Sequence, residues 1–200
     1  MTKAATIRKT IEAIPLGEPF ISSELLSLGS RNCIDQTLYR LEKQGSVTRV
    51  ARGIYVRPKQ NRFMGKVLPH PFSVAKKLNK LGSEVVQVNG AEAARQLGLS
   101  TQVPTKPVYW TTGQNRCFYL GEQKIILKHV PPRKIAHAGS KVGLAITALW
   151  YLGKEGVTFS TLQQIKEKMS NTEYAEFKNA IHILPAWLGA LFQKFETNNA

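Results

Sequence analysis

The chain has 200 residues, with 28 Lys and Arg against 13 Asp and Glu and a net charge of +15. A hydrophobic fraction of 42% is enough for packed cores, and the length allows one or two domains. The longest apolar-rich stretch, residues 142–152, is too short to cross a bilayer, and residues 1–14 lack the apolar run of a signal peptide, so a cytoplasmic protein is expected.

Residues 2–14 read as a first helix, with Ile7, Ile11 and Ile14 as its apolar stripe. Residues 15–19, bounded by prolines, break it, and Phe20-Ile21 predicts a short extended piece packed beneath a hairpin later in the chain. Ser22 or Ser23 begins a short helix containing Leu25, Leu26 and Leu28, and Gly29 supplies a turn. Ser30 then suits an N-cap, because its hydroxyl can accept a backbone N–H left free in the first helical turn. In the helix after it, Ile34, Leu38 and Leu41 recur at helical spacing and face inward. The opposite face carries Arg31, Asn32, Asp35, Gln36, Tyr39, Arg40 and Lys43, and Gly45 is the stop. Residues 46–50 and 54–56 alternate, are rich in β-branched side chains and flank Ala51-Arg52-Gly53, which predicts a hairpin.

Helix, turn, helix and hairpin in that order are the sequence shape of a winged helix-turn-helix. Arg reads guanine through two donors, and Asn or Gln reads adenine in the same way. In such proteins the N-terminal residues of the second helix meet the bases. Arg31, Asn32, Asp35 and Gln36 are therefore the candidate base readers. Tyr39, Arg40, Lys43, Arg49, Arg52 and Arg57 are candidates for phosphate or minor-groove contact. Between Glu42 and Glu84 there is no acidic residue and there are ten basic ones, a one-sided block that favours a polyanion. Charge alone suits RNA as well as DNA; the helix and hairpin pattern favours double-stranded DNA. A basic RNA- or ribosome-associated protein is the alternative.

Residues 59–71 are basic, Pro-bearing and weakly periodic, and mark a boundary between a DNA-binding domain over 1–60 and a second domain over 66–200. Pro71 opens a helix to about residue 81 that buries Val74, Leu78 and Leu81. Residues 85–88 suggest a strand, and Asn89 caps a helix over 91–97 with Gly98 as its stop. Residues 107–111, 116–120 and 124–130 predict a three-stranded meander. A central helix over 141–152 and three more over 160–169, 172–183 and 185–195 complete the chain. Trp187, Leu188, Leu191 and Phe192 form an apolar face of the last helix, and residues 196–200 are expected to fray. The fold class is thus α+β: a winged helix-turn-helix, then a mixed α/β domain with a small antiparallel sheet and a helical C-terminus.

An enzyme needs a constellation that these residues do not form. His70, His129, His137 and His182 are scattered, and the acids of the second domain make no close pair of the kind that holds metals for phosphoryl transfer. Cys33 and Cys117 fit no metal spacing and are expected as reduced, core-packed thiols. No cofactor, metal or catalytic activity is expected. Gly139-Ser140-Lys141 fails the P-loop pattern, yet a helix start with Arg133, Lys134 and Lys141 nearby is a candidate anion site.

Several runs resemble those of a known family. They are Arg52 to Pro58 (RGIYVRP), Val88 to Ala94 (VNGAEAA), Leu97-Gly98-Leu99, Val108 to Gly113 (VYWTTG), Pro132-Arg133-Lys134 and Ala148 to Gly153 (ALWYLG). On these, nearly the whole chain resembles the antitoxin component of AbiE-type, type IV toxin–antitoxin systems. The resemblance implies a winged domain that binds repeats in its own promoter and represses the operon. It also implies a C-terminal domain that counters a nucleotidyltransferase-like toxin and need not form a stable complex with it.

Overall fold

The first helix starts where a side chain can cap it. In the computed structural model, which describes residues 2–63 and 65–198 (Lys66 and Leu81 by backbone alone), the Thr2 hydroxyl accepts from the Ala5 N–H at 3.3 Å. Helix α1 (Lys3–Glu12) follows and buries Ile7 and Ile11. Strand β1 (Pro19–Ile21) is buried throughout. The short helix expected next is one 3-10 turn, Ser22–Leu25. Its chain closes by i→i+3 bonds, Leu26 N–H to Ser23 O and Leu28 N–H to Leu25 O, so no α-helical ladder forms.

Ser30 caps α2 (Arg31–Lys43) by accepting from the Cys33 N–H, and Ile34, Thr37, Leu38 and Leu41 are buried. Gly45, at φ +72°, takes the left-handed conformation that ends the helix. Strands β2 (Thr48–Ala51) and β3 (Ile54–Val56) form the predicted hairpin, with a bulge between Arg49 and Ala51. Strand β1 pairs antiparallel with β3, so the sheet order is β1-β3-β2. Ile7, Ile11, Phe20, Leu25, Ile34, Leu38, Leu41 and Val47 make one core beneath α1, α2 and this sheet.

The segment read as a linker is a second hairpin, β4 (Lys59–Asn61) with β5 (Gly65–Val67). Every residue of β4 is exposed, so the strands lack the apolar alternation that marks a half-buried strand in sequence. Helix α3 (Pro71–Leu81) starts at Pro71 as predicted, capped by His70, and packs on β1 and β3. Val74 is fully buried and Leu78 half-buried; the Leu81 side chain lies outside the described residues. Glu24 draws α3 toward the 3-10 turn. Burial works to raise its pKa, but Lys80, the Ile21 N–H and Lys77 together hold it below the ordinary carboxylate value.

The chain divides into two compact units, Met1–Ser83 with Cys117–Ile125, and Glu84–Arg116 with Ile126–Ala200. The packing of α3 on the first sheet therefore carries the first unit past the expected boundary near residues 60–66.

Beyond α3 lie β6 (Val86–Val88), α4 (Gly90–Gln96), β7 (Val108–Thr111), β8 (Arg116–Leu120) and β9 (Gln123–His129). Asn89 caps α4 as expected, accepting from the Glu92 N–H at 3.0 Å. The three later strands do not form a meander or an all-antiparallel sheet. The order is β6-β7-β9-β8, with β7 and β9 parallel in the register Val108↔Ile126. The segment 112–115 loops past the end of β9 instead of closing a hairpin: Asn115 Oδ1 accepts the His129 N–H at 2.7 Å, and the Val130 N–H reaches Thr111 O.

Helix α5 (Lys141–Gly156) buries seven consecutive or near-consecutive residues from Val142 to Leu149, as its all-round apolar sequence predicts, and Gly153 interrupts it at φ +67°. Helices α6 (Phe159–Glu167), α7 (Asn171–Ala180) and α8 (Ala186–Asn198) complete the order. On α8, Leu188, Phe192 and Phe195 are buried and Trp187 and Leu191 half-buried. The fraying expected from residue 196 does not begin there. Glu196 accepts from the Tyr174 hydroxyl and pairs with Lys178, which holds the last turn, while residues 199–200 lie outside the described ones. The thiols are free, but only Cys33 packs against a core; Cys117 is exposed on β8. No helix among the described residues is long and apolar enough to cross a membrane.

A methyl group on Gly90 would lie 2.1 Å from Tyr151 Cβ, whereas one on Gly189 meets nothing within 4 Å. Gly90→Ala is expected to cost about 1–3 kcal/mol by overpacking. Gly189→Ala is expected to gain roughly 0.5–1 kcal/mol from helix propensity. Thermal unfolding of the two variants checks both signs.

Candidate nucleic-acid interface

The spacing that buries Ile34, Leu38 and Leu41 turns the other face of α2 outward. Arg31, Asn32, Asp35, Gln36, Tyr39, Arg40 and Lys43 are all exposed on it, while Ile34 and Leu38 are fully buried. Arg31 Nε donates to Asp35 Oδ2 at 3.0 Å, one helical turn on. That bond is made by Nε and not by the terminal guanidinium nitrogens. Tyr39 is 61% exposed and Lys43 Nζ sits 5.6 Å from its ring centroid. A tyrosine this exposed adds little to the core.

Arg49 lies on the exposed face of β2 and Arg52 occupies the turn between β2 and β3. The turn is anchored: the Ser22 N–H donates to Gly53 O at 2.9 Å, and Gly53 adopts φ +74°. Tyr55, opposite Arg49 in register, stacks on Phe20 with centroids 6.0 Å apart. Burial raises its phenol pKa.

Arg57, also a candidate for phosphate contact, has partners within the fold. Its Nη1 donates to the carbonyls of Glu12 and Ile14, and its own carbonyl accepts the Gly17 N–H. The C-terminal carbonyls of a helix lack intrahelical partners, and a cation there also meets the negative end of the helix dipole. Arg57 thus clamps the chain at the end of α1 through Nη1.

The first unit holds 16 Lys and Arg against 6 Asp and Glu, and the second 12 against 7. Of the ten cations between Glu42 and Glu84, Lys77 and Lys80 face Glu24 and Arg57 is spent on α1. Among the described residues no carboxylate lies within ion-pair distance of Lys43, Arg49, Arg52, Lys59 or Arg62. A surface with this imbalance lowers its free energy by gathering anions.

The candidate anion trio of the second unit is not brought together. Lys141 Nζ turns to Glu173 and Lys168 O, and the Ser170 N–H and Lys141 help hold the Glu173 carboxyl low. Arg133 and Lys134 sit over the Trp150 ring at 5.0 and 5.2 Å. The start of α5 is filled by its own chain: Ser140 accepts the Gly143 N–H, and a Cβ on Gly143 would lie 2.1 Å from His137 O. The histidines are separately engaged. His70 caps α3, His129 bonds Gly113 O, His137 pairs with Glu176, and His182 bonds Asn179 O.

Sequence reasoning missed the β4–β5 hairpin, which puts Lys59, Arg62 and Phe63 in solvent, with Phe63 91% exposed. Asn61 and Gly65, turn-forming residues four apart, were its only local signal.

Replacing Arg57 with Ala frees the Glu12 and Ile14 carbonyls and is expected to cost about 1–2 kcal/mol, the scale of partly exposed charge-assisted hydrogen bonds. Arg52→Ala, at a solvent-facing turn, is expected to stay within about 0.5 kcal/mol. Chemical denaturation separates the clamp from the free cation.

No curated protein matches the chain. Over residues 6–176 it matches a family of unknown function, DUF6088, and with most of its length covered the chain belongs to that family.

Proposed function

We propose that the protein is a sequence-specific regulator of transcription that binds duplex DNA through a winged helix-turn-helix and represses its own promoter. The observation that carries the proposal is the exposed polar face of α2 lying in the same unit as a hairpin whose two arginines have no carboxylate partner among the described residues. In this reading the N-terminal half of α2 enters the major groove. Asn32 and Gln36 offer amide pairs suited to adenine. Arg31 offers its terminal nitrogens to guanine O6 and N7 while Asp35 holds Nε, so Asp35 positions a reader instead of reading. Tyr39, Arg40 and Lys43 meet the phosphates beside the groove, and Arg49 and Arg52 hold the backbone from the β2–β3 hairpin. Such a protein works on DNA in the cytoplasm. Neither step requires a cofactor.

The resemblance to AbiE-type antitoxins extends the proposal to the second unit, which in that reading counters a nucleotidyltransferase-like toxin encoded beside it. Co-expression with the adjacent gene tests this half. Growth rescue by the full chain, retained when Arg52 and Gln36 are replaced by Ala, is the expected result; no rescue by the wild-type chain removes the antitoxin role.

Binding to a duplex of the upstream promoter region is expected to weaken with salt, log Kobs falling against log salt with a slope of about −4 to −5 for roughly five neutralised phosphates. Arg52→Ala should weaken all duplexes alike and lower that slope by about one, whereas Gln36→Ala and Asp35→Ala should change preference between sequences. Fluorescence anisotropy at several salt concentrations reads both. Stronger competition by structured RNA than by unlabelled promoter duplex would overturn the DNA reading.

A further inference from the structure

We infer that the β4–β5 hairpin is a second DNA-contacting element, with Phe63 as an apolar wedge that enters a base-pair step while Arg62 and Lys59 hold the flanking phosphates. The inference rests on the reading of the protein as a duplex-DNA binder.

The hairpin contributes little to its own unit. Among the described residues it pairs only with itself, Lys59↔Val67 to Asn61↔Gly65, and all of β4 is exposed. A lone two-stranded hairpin is marginal in water unless something is packed on it. Phe63 near its tip is 91% exposed, by far the most exposed of the large apolar side chains described in the chain. Its position is nevertheless held, since its N–H donates to Asn61 Oδ1 at 2.8 Å. The neighbouring Arg62 and Lys59 have no carboxylate within ion-pair distance among the described residues, and no acid occurs from residue 43 to 83. A partner must therefore be anionic and must also offer an apolar slot for a flat ring.

Duplex DNA supplies both. Phosphates line its grooves, and apolar side chains presented there unstack a base step and kink the helix. The site is reachable from α2. Gln60 of β4 lines a shallow cleft with Leu41, Gly45 and Ser46, so the hairpin starts at the C-terminal end of α2, away from the base-reading residues at its other end. The contact would fall outside the bases that α2 reads, and would select for a deformable step there, pyrimidine–purine above all.

The test uses the full-length chain and a duplex of its upstream promoter with 2-aminopurine placed at successive steps. Wild type is expected to raise the fluorescence at one step beyond those where Gln36→Ala alters preference. Phe63→Ala should abolish the rise and weaken binding about tenfold, the scale of one lost aromatic–base stack. Phe63→Leu should keep part of the rise, and Arg62→Ala should lower the salt slope by about one. Because Phe63 is solvent-exposed, these variants should melt with the wild-type chain. Unchanged affinity and fluorescence in Phe63→Ala, with wild type binding normally, would overturn the wedge alone. A lower sedimentation coefficient for Phe63→Ala without DNA would overturn it in favour of contact with a second copy. Absence of salt-dependent duplex binding by wild type would overturn both this inference and the reading beneath it.

Discussion

Carboxylates are the scarce component of this protein, and their placement decides what its cations do. In the first unit six acids face sixteen Lys and Arg. Those that are paired are spent on joints. Glu24 receives the Ile21 N–H and faces Lys77 and Lys80, tying α3 to the 3-10 turn ahead of α2. Asp35 braces Arg31. With these commitments made, the cations of β2, of the turn after it and of β4 have no internal charge to meet. The excess itself follows from sixteen cations against six acids, and the placement of the acids leaves it on an outward-facing surface that repels itself until an anion arrives.

Two arginines on either side of β3 show how finely that allocation is set. Arg52 and Arg57 are five residues apart, both within the same Arg-Gly-Ile-Tyr-Val-Arg-Pro run. Arg57 turns onto the carbonyls of Glu12, at the end of α1, and of Ile14 just beyond it, where a cation offsets the helix dipole and supplies missing hydrogen bonds. Arg52 sits in a glycine turn with no carboxylate opposite it among the described residues. One is a structural fastener and the other is available to a ligand. Charge counting cannot tell them apart.

Much of the fold was legible because helices advertise themselves locally. Ser30, Asn89 and Ser140 each cap the next helix, and the spacing of Ile34, Leu38 and Leu41 identified the buried face of α2 and so its outward one. What was not legible depends on partners distant in the chain. Strand β9 lies between β7 and β8, and nothing in residues 107–130 records that a parallel neighbour displaces the obvious hairpin. The β4–β5 hairpin was invisible for a different reason: strands that bury nothing carry no period. In the candidate interface, residue types and exposure could be read from spacing. The Arg31–Asp35 brace and the inward turn of Arg57 could not, since both depend on rotamers and on α1.

The position of β9 also bears on how the chain matures. Strands β7 and β8 are synthesised first, yet the strand that joins them, Gln123–His129, leaves the ribosome last. Until it does, a nascent chain carries two strands with open hydrogen-bonding edges, the feature that invites mispairing with other chains. Parallel pairing of Val108–Thr111 with its partners Ile126–His129 therefore waits until that later strand has emerged.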